Sequence, residues 1–397
     1  MGERKEILYI GGFELPDKNA AAQRVISNGK VLRDLGYDVY YLNLDRSLIK
    51  KASSKQFTDT FEGFKFRSVT YPSKTSEWLT YLFSITDITE LINELPNLRF
   101  IIAYNYPAFA LARLNRFCDL KNVCLIADCT EWYQPHGGVV FRVIKGIDTY
   151  FRMRVIHPKL DGVIAISKYL YEFYRASKVK VVQIPPLVDL RSDKWKNEYT
   201  SNNQDLVLVY AGSPGKGTKD RIDTIIKMLT KVKISNVKLS LHVIGLSKEQ
   251  FIDDFGDDFF INETRIILVF KGRLSHTETL NEIKNADYAI FVRDINLVTT
   301  AGFPTKFVEA LSCGVPILTN SYSNVADYLR DGFNGYLLDD SSEETLIKTL
   351  STALSQGKKK IDEMKATIRE EGVFDYRKYI DVFEHFLNSV SNFKSDL

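Results

Sequence analysis

Residues 7–44 read ILYIGGFELPDKNAAAQRVISNGKVLRDLGYDVYYLNL, and the order of segments within this stretch indicates the fold. An apolar run at 7–10 is followed by two glycines, by a helical pattern over 20–35 that ends at Gly36, and by a second apolar run at 38–44. The runs are mostly continuous in apolar residues rather than alternating, as in strands that are buried on both faces. The stretch therefore predicts two parallel strands that are connected by a helix.

The same alternation of strand and helix patterns continues through the rest of the chain. Further apolar runs lie at residues 100–104, 123–127, 162–167, 181–185, 206–212, 237–245, 265–272, 288–294, 315–320 and 335–339. Residues 190–205 (LRSDKWKNEYTSNNQD) are polar without an apolar period, which is typical of a linker. We therefore predict two Rossmann-like α/β domains with parallel sheets, 1–190 and 191–375, that face a cleft. The amphipathic segment 376–397 is predicted to pack back on the first domain.

The composition excludes several classes of protein. Of the 397 residues, 45% are hydrophobic and 26% are charged, which is typical of a globular protein and excludes a disordered or collagen-like chain. The net charge of +3 is too small to indicate a nucleic-acid-binding protein. No apolar stretch approaches the roughly 20 residues that a membrane span needs. We expect a cytoplasmic protein that is at most peripheral on the inner face of the membrane.

A glycine-rich loop, AGSPGKGTKD at 211–220, follows the first predicted strand of the second half. Its glycines allow the backbone to approach a ligand closely, and Lys216 and Lys219 add positive charge. The helix predicted over 220–229 directs free N–H groups and a favourable dipole towards an anion. The loop matches neither a Walker A motif nor G-x-G-x-x-G. A phosphate site and an ordinary turn with solvated lysines are both compatible with it.

A second loop and helix, AGFPTKFVEALSCG at 301–314, follow later in the same half. Pro304 suits the first helical turn, and Lys306 and Glu309 share one face of the predicted helix because they are three residues apart. Such a pair can bind a phosphate and a ribose diol. The alternative is a surface salt bridge between Lys306 and Glu309. Arg293, at the carboxyl end of the preceding strand, favours the binding site because it adds a cation to the same sheet edge.

In the first half, the strand at 123–127 runs directly into DCTEWYQPHGG. Asp128 and Glu131, with Trp132 beside them, supply carboxylates and an aromatic ring, the combination that sugar sites use. The alternative for Asp128 is a cap of the next turn. His136 lies beside two glycines, which favours a loop histidine over a general base.

Two further segments of the first half carry candidate functions. Gly11 and Gly12 follow the first strand, and Arg24 on the next helix faces either an acceptor or solvent. Residues 139–158 interleave basic and apolar residues. This pattern is compatible with a helix on an anionic bilayer and with a solvated helix face.

Several segments together resemble a bacterial family 4 glycosyltransferase, a retaining enzyme of the GT-B fold. These segments are DGVIAIS (161–167), IPPLVD (184–189), YAGSPGK (210–216), GFPTKFVEALSCGVPILTN (302–320) and DGFNGYLL (331–338). The resemblance implies transfer of a hexose from a nucleotide diphosphate sugar, UDP rather than GDP, to a glycan or lipid-linked acceptor. It also implies a role in surface-polysaccharide biosynthesis, with acceptor binding by the first domain and donor binding by the second.

The resemblance also assigns roles to individual residues. Glu309 matches the glutamate that holds the ribose, Lys219 or Lys216 matches the lysine that neutralises the diphosphate, and the amides of 302–305 face the donor. Ala301 and Ser213 depart from the family, which usually has Glu and Arg there. The expected donor site comprises Gly212, Ser213, Pro214, Gly215, Lys216, Lys219, Arg293, Gly302, Phe303, Pro304, Thr305, Lys306 and Glu309. The expected catalytic residues are Asp128, Glu131, Lys219 and Arg293, and the expected acceptor residues are Gly11, Gly12, Arg24, Trp132 and His136.

No D-x-D motif occurs, so no metal or other cofactor is expected. Lysine, arginine and the helix dipole would instead stabilise the leaving diphosphate. Two other functions fit the same residues. The departures at Ala301 and Ser213 are compatible with a non-catalytic nucleotide-sugar-binding protein, and the fold is also that of GT-B sugar-nucleotide 2-epimerases.

Overall fold

The computed structural model describes residues 4–16, 18–46, 48, 57, 59–133, 138–197, 205–215, 219–232, 237–257 and 266–395. The chain divides into two compact units. The first unit comprises Met1–Val188 together with Asp375–Leu397, and the second comprises Asp189–Phe374. Each unit is built on its own parallel β-sheet, which confirms the predicted α/β class with two Rossmann-like domains.

The first unit contains an eight-stranded sheet, counted over the described residues. Its strands are β1 (Glu6–Gly11), β2 (Asp38–Asp45), β3 (Asp59–Phe61), β4 (Phe64–Thr70), β5 (Leu98–Tyr104), β6 (Cys124–Cys129), β7 (Gly162–Ala165) and β8 (Lys180–Gln183). Its helices before the linker are α1 (Ala20–Asp34), α2 (Thr75–Phe83), α3 (Thr86–Ile92), α4 (Ala108–Lys121), α5 (Val139–Phe151) and α6 (Lys168–Arg175). The strand order is β3-β4-β2-β1-β5-β6-β7-β8, and only β3 and β4 pair antiparallel among these neighbours.

The second unit contains a six-stranded sheet over its described residues, and all its strand pairs are parallel. Its strands are β9 (Leu206–Ala211), β10 (Leu239–Ile244), β11 (Ile266–Gly272), β12 (Tyr288–Phe291), β13 (Ile317–Asn320) and β14 (Gly335–Leu338). Its helices are α7 (Ile222–Leu229), α8 (Lys248–Phe255), α9 (His276–Lys284), α10 (Leu297–Ala301), α11 (Thr305–Ser312), α12 (Glu343–Leu354) and α13 (Gly357–Glu371).

The strand orders identify where each unit offers a binding crevice. The second sheet has the order β11-β10-β9-β12-β13-β14, the doubly wound order that reverses direction between β9 and β12. The first sheet reverses between β1 and β5. In open α/β sheets, ligands bind outside the carboxyl ends of the strands at such a reversal. The loops after β9 and β12, and those after β1 and β5, are therefore the positions at which functional residues are expected.

The chain returns to the first unit through α14 (Ile380–Ser395). Phe383, Phe386 and Val390 on this helix are buried in the core that β1 and β5 also form. A Cβ atom at Gly162 in β7 would lie 2.8 Å from the Phe386 ring and 2.9 Å from Val390. The absence of a side chain at Gly162 thus allows α14 to pack directly on the sheet. None of the helices in the described ranges has the length and apolar content that a membrane span requires.

We expect Gly162→Ala to lower the free energy of unfolding by about 1–3 kcal/mol, because an added methyl group overpacks the contact between β7 and α14. The control is Gly12→Ala, where a Cβ atom meets only the Tyr81 hydroxyl at an ordinary 3.8 Å. Urea unfolding measures both variants. Equal effects of the two substitutions would contradict the close packing of α14.

Candidate functional site

At the reversal of the second sheet, three elements bring charged side chains together around Asp220. This residue ends the loop after β9, Arg293 follows β12, and Lys306 lies in the first turn of α11. Arg293 Nε donates a hydrogen bond to Asp220 Oδ1 at 2.5 Å, and Lys306 Nζ donates to Asp220 Oδ2. A Cβ atom at Gly212 would lie 2.7 Å from Lys306 Nζ, so only glycine lets the loop approach this lysine so closely. Sequence analysis predicted these cations at one sheet edge, and the structure places Arg293 and Lys306 on the same carboxylate.

Asp220 is fully buried and lies at the centre of this cluster. Tyr210 Oη donates a third hydrogen bond to its Oδ2 at 2.7 Å. Burial alone would raise the pKa of the carboxyl group, but Lys306 and Arg293 outweigh burial and lower this pKa to about 2. Asp220 therefore stays ionised and fixes both cations. The expected helix over 220–229 begins later, at Ile222, after Arg221 at its N-cap position.

The cluster has more positive than negative charge. Lys219 is exposed beside it, so three cations accompany one carboxylate. Burial lowers the pKa of Lys306 to about 8, with Asp220 opposing this effect and Arg293 and Lys219 contributing to it. Within the described chain, the terminal nitrogens of Arg293 have no hydrogen-bond acceptor, since Asp220 contacts only its Nε. The arrangement is thus suited to bind an anion with more than one charge.

Two residues at the end of β13 and just beyond it, Asn320 and Tyr322, support the cluster and were not found by sequence analysis. The Asn320 amide accepts the Arg293 N–H at 3.0 Å and donates to the Arg293 carbonyl at 2.7 Å, which fixes the backbone of that arginine. The Arg293 guanidinium lies 5.3 Å from the centre of the Tyr322 ring. The Tyr322 hydroxyl is buried and has no partner in the described chain. Asn320 ends a buried strand and Tyr322 lies just beyond it, and this position at the carboxyl end of a strand is the signal that could have identified them.

The glycine-rich loop itself is only partly described. The Pro214 carbonyl accepts the N–H groups of Lys219 and Asp220 at 3.2 and 3.4 Å, which closes the loop, while Ser213 and Gly215 are exposed. Lys216, the alternative phosphate ligand, lies outside the described residues.

The segment 302–305 offers fewer amides than expected. The Gly302 N–H donates to the Val298 carbonyl at 3.1 Å, and the Gly302 carbonyl accepts from Ser323 Oγ at 2.6 Å. Pro304 has no N–H group. Phe303 is buried against the aromatic rings of Phe307, Tyr328 and Phe374. The Gly302 amide is thus already paired and the Phe303 side chain is packed in the core, while contact of the Phe303 and Thr305 amides with a donor stays a prediction, and Thr305 is exposed at the start of α11.

Glu309 pairs with a histidine from another helix. Its Oε1 lies 3.2 Å from Nε2 of His276, the first residue of α9, whose ring packs against Trp195. The expected alternative was a salt bridge between Lys306 and Glu309. Instead Lys306 contacts Asp220 and Glu309 contacts His276, so α11 presents the two side chains to different neighbours.

In the first unit, Arg24 and Asp128 form a buried ion pair. Arg24 Nη2 lies 2.7 Å from Asp128 Oδ1, and Tyr9 Oη donates to Asp128 Oδ2 at 2.5 Å. Arg24 Nη1 donates to the carbonyls of Ile184 and Pro185 at 3.0 and 3.2 Å. Arg24 and Asp128 are 3% and 0% exposed, so neither is accessible to a substrate. This arrangement corrects their expected acceptor-binding and catalytic roles, because the pair instead ties α1 to β6 and to the segment after β8.

The first unit contains a cavity of about 880 Å³, and one of the remaining candidates lines it. Gly12 lines it, whereas Gly11 lines a smaller neighbouring cavity. Trp132 packs on Phe173 of α6 with ring centres 5.1 Å apart. Glu131 is half-buried, and His136 lies outside the described residues.

Residues 191–371 match the family model described as "Glycosyl transferases group 1". The match lies within the second unit and spans less than half of the chain. An uncharacterized glycosyltransferase from Methanocaldococcus jannaschii is 23% identical over 252 residues, which cover 59% of this chain and 61% of that relative. The chain thus matches about three fifths of that protein's length.

Several solved structures are similar in fold to nearly the whole chain. HepE from Anabaena, solved in complex with UDP and glucose, has a TM-score of 0.62 at 14% identity and covers 97% of this chain and 100% of its own. A glycosyltransferase from Rickettsia africae has a TM-score of 0.66 at 13% identity, and the match covers 97% of this chain and 99% of that structure's chain. The galactosyltransferase WaaB has a TM-score of 0.62 at 16% identity, and the match covers 97% of this chain and 99% of the WaaB chain. These similarities confirm the GT-B fold.

We expect Asp128→Asn to lower the free energy of unfolding by about 3–5 kcal/mol, because it leaves Arg24 as a buried charge without its partner. Arg24→Met should have a similar cost for the same reason. The double variant Arg24→Met with Asp128→Leu should lower the free energy of unfolding by much less than the sum of the two single effects, since it removes both charges. Denaturant unfolding of all variants measures this coupling. An Asp128→Asn protein with native stability and no activity would instead restore the catalytic role of Asp128.

Proposed function

We propose that the chain is a retaining glycosyltransferase that moves a hexose from a nucleotide diphosphate sugar to a glycan or lipid-linked acceptor. We further propose that it uses UDP rather than GDP, needs no metal, and acts at the cytoplasmic face of the membrane in bacterial surface-polysaccharide biosynthesis. The observation that carries this proposal is the group of three cations around Asp220 at the reversal of a glycosyltransferase group 1 sheet. The solved complexes of HepE with UDP and with UDP-glucose support the choice of donor.

In the proposed mechanism, the donor diphosphate lies against Lys219, Lys306 and the terminal nitrogens of Arg293. Negative charge develops on the diphosphate as its bond to the sugar breaks, and cations held in place before the reaction stabilise that charge. Asp220 keeps Lys306 and Arg293 in position without matching their combined charge. The cations can therefore serve the leaving group without a metal ion.

Glu309 is proposed to accept hydrogen bonds from the ribose hydroxyls. Its carboxylate is mostly buried, and His276 orients it through one oxygen, so the other oxygen is the one that meets the ligand. Ala301, where the resembling family has a second glutamate, is fully buried at the end of α10. The sugar hydroxyl groups therefore need partners other than a carboxylate at this position.

The test is transfer of a radiolabelled hexose from UDP-hexoses by the purified chain, together with binding of UDP and GDP by calorimetry. We expect Arg293→Gln to lower kcat by about 10²–10³, as for the loss of a contact to charge that develops in the transition state. Arg273→Gln is the control, because Arg273 is exposed after the edge strand β11 and should leave kcat unchanged. Full activity should persist in EDTA.

Other results would favour the alternative functions. Nucleotide-sugar binding without turnover would indicate a non-catalytic binding protein, and conversion of the UDP-sugar into its isomer would indicate a 2-epimerase. An absence of binding to every nucleotide sugar would contradict all three.

The pKa of Lys306 predicts how UDP affinity depends on pH. Lys306 is protonated below a pKa of about 8 in the free protein. Binding of a diphosphate favours the protonated form, so the affinity should be constant below pH 8 and should fall by up to about tenfold per pH unit above it. The diphosphate of UDP is already fully ionised in that range. Calorimetry on Lys306→Arg, which stays charged, should give a flat profile, and a wild-type-like fall in that variant would exclude Lys306 as the titrating group.

A further inference from the structure

The cavity of the first unit lies at the reversal of its sheet and has a largely apolar wall. It has a volume of about 880 Å³ and lies beside Gly12 after β1 and Tyr104 at the end of β5. Its wall includes the side chains of Tyr71, Trp78, Leu79, Leu82, Val139 and Ile144. A cavity of this size and composition is suited to an apolar or aromatic ligand with few polar groups.

A buried arginine lies in the wall of this cavity. Arg152 is 3% exposed and begins a π-helical turn that continues α5, in which the His157 N–H bonds to the Arg152 carbonyl. Such turns are frequent at functional sites. Its Nη1 donates to the Asn105 carbonyl at 3.3 Å, while Nε and Nη2 have no acceptor among the described residues. Asp148 lies 3.8 Å from Nη1 and uses its other oxygen to cap α4 at Ala108.

An anion bound in the cavity would supply the acceptors that Arg152 lacks. Buried charges in proteins are normally paired and hydrogen-bonded. Lys145 also lines the cavity and lies 4.5 Å from the centre of the Tyr133 ring. Arg46 lines it too but is paired with Glu14 at 3.2 Å. Two cations, Lys145 and Arg152, and one carboxylate, Asp148, thus line this end of the cavity, so its formal charge is positive beside an apolar wall.

The outer face of α5 is apolar and exposed next to the cavity. Val139, Val143, Ile147 and Tyr150 recur at helical spacing and are 67%, 54%, 45% and 56% exposed. Leu79 and Ile144 belong to both surfaces, since each lines the cavity and is about half exposed. The apolar wall thus continues without interruption from the cavity to the surface.

Basic side chains flank this apolar face. Arg142 and Arg154 are exposed on α5 and on the turn that follows it, and Asp148 is the one acidic residue between positions 139 and 159. A helix with an apolar face and basic flanks is attracted to the surface of an anionic bilayer. The charge of this face therefore favours an anionic lipid surface as its partner over a protein or a free glycan.

We propose that the acceptor is a membrane lipid phosphate, an apolar chain that ends in a phosphate group. An oxygen of this phosphate bonds to the anomeric carbon of the sugar, while the bond from that carbon to the nucleoside diphosphate breaks and the nucleoside diphosphate leaves. The phosphate lies against Arg152 and Lys145, and the chain leaves the cavity between Leu79 and Ile144 to the bilayer on which α5 rests. This inference rests on the proposed transferase function and deepens it, because it selects a lipid-linked acceptor over a glycan.

The phosphate contact is tested with farnesyl phosphate and farnesol, which share one apolar chain. Quenching of tryptophan fluorescence reports binding, since Trp78 lines the cavity. We expect the wild-type chain to bind the phosphate at least tenfold more tightly than the alcohol. Arg152→Gln should bind the two equally, and the exposed Arg154→Gln should keep the wild-type preference. Equal binding of both compounds by the wild-type chain would overturn the proposal without reliance on any variant.

The membrane contact is tested by flotation with phosphatidylcholine vesicles that contain or lack phosphatidylglycerol. We expect binding only to the anionic vesicles and at least a tenfold loss in the double variant Val143→Ser with Ile147→Ser. Leu120→Ser is the matched control, because Leu120 is 87% exposed at the end of α4 and outside this face. Undiminished binding of the double variant would overturn the role of α5.

Binding of UDP separates failure of this proposal from failure of the transferase function. A chain that binds UDP and transfers sugar to a glycan but does not bind farnesyl phosphate would overturn only the lipid acceptor. A chain that binds no nucleotide sugar would overturn the transferase function, whatever the first unit binds.

Discussion

The candidate donor site depends on one buried carboxylate. Asp220 holds Arg293 and Lys306, which come from different elements more than 70 residues further along the chain. The two cations contact the same carboxylate and therefore repel each other, and burial adds a desolvation cost to each of them. A single ionised carboxylate offsets part of both effects and still leaves the site with excess positive charge. The Asp220 carboxylate thus creates a stable site that remains attractive to an anion.

The fold could largely be predicted from the sequence, because strands in a parallel sheet are short apolar runs and some of the helices, such as α1, α11 and α13, end at or just before a glycine. The strands β3 and β4 were not predicted. Phe64–Thr70 alternates polar and apolar residues at the edge of the sheet, so it lacks the continuous apolar run of a central strand. Local pattern therefore predicted the inner strands, and the edge pair was recognisable only from its pairing with β2.

The site was only partly predictable, and the reason is the same for each residue that was missed or misassigned. Arg293 and Lys306 follow strands and stand out as cations, so they were found. Asp220 sits beside a lysine in a polar loop and resembles a solvated charge, because its partners are distant in sequence. Arg24 and Asp128 were assigned to a substrate for the converse reason: nothing near either residue in the sequence indicates that they neutralise each other across 104 positions.

The return of α14 to the first unit has a consequence for how the chain is made. Phe383 and Val390 complete a core that begins with Ile7 and Tyr9. A ribosome therefore synthesises the whole of the second unit before it supplies the helix that closes the first. Domains usually fold in the order in which they emerge. In this protein the later unit can reach its final structure first, while the earlier one waits with its apolar sheet face uncovered, exposed to chaperones and to aggregation.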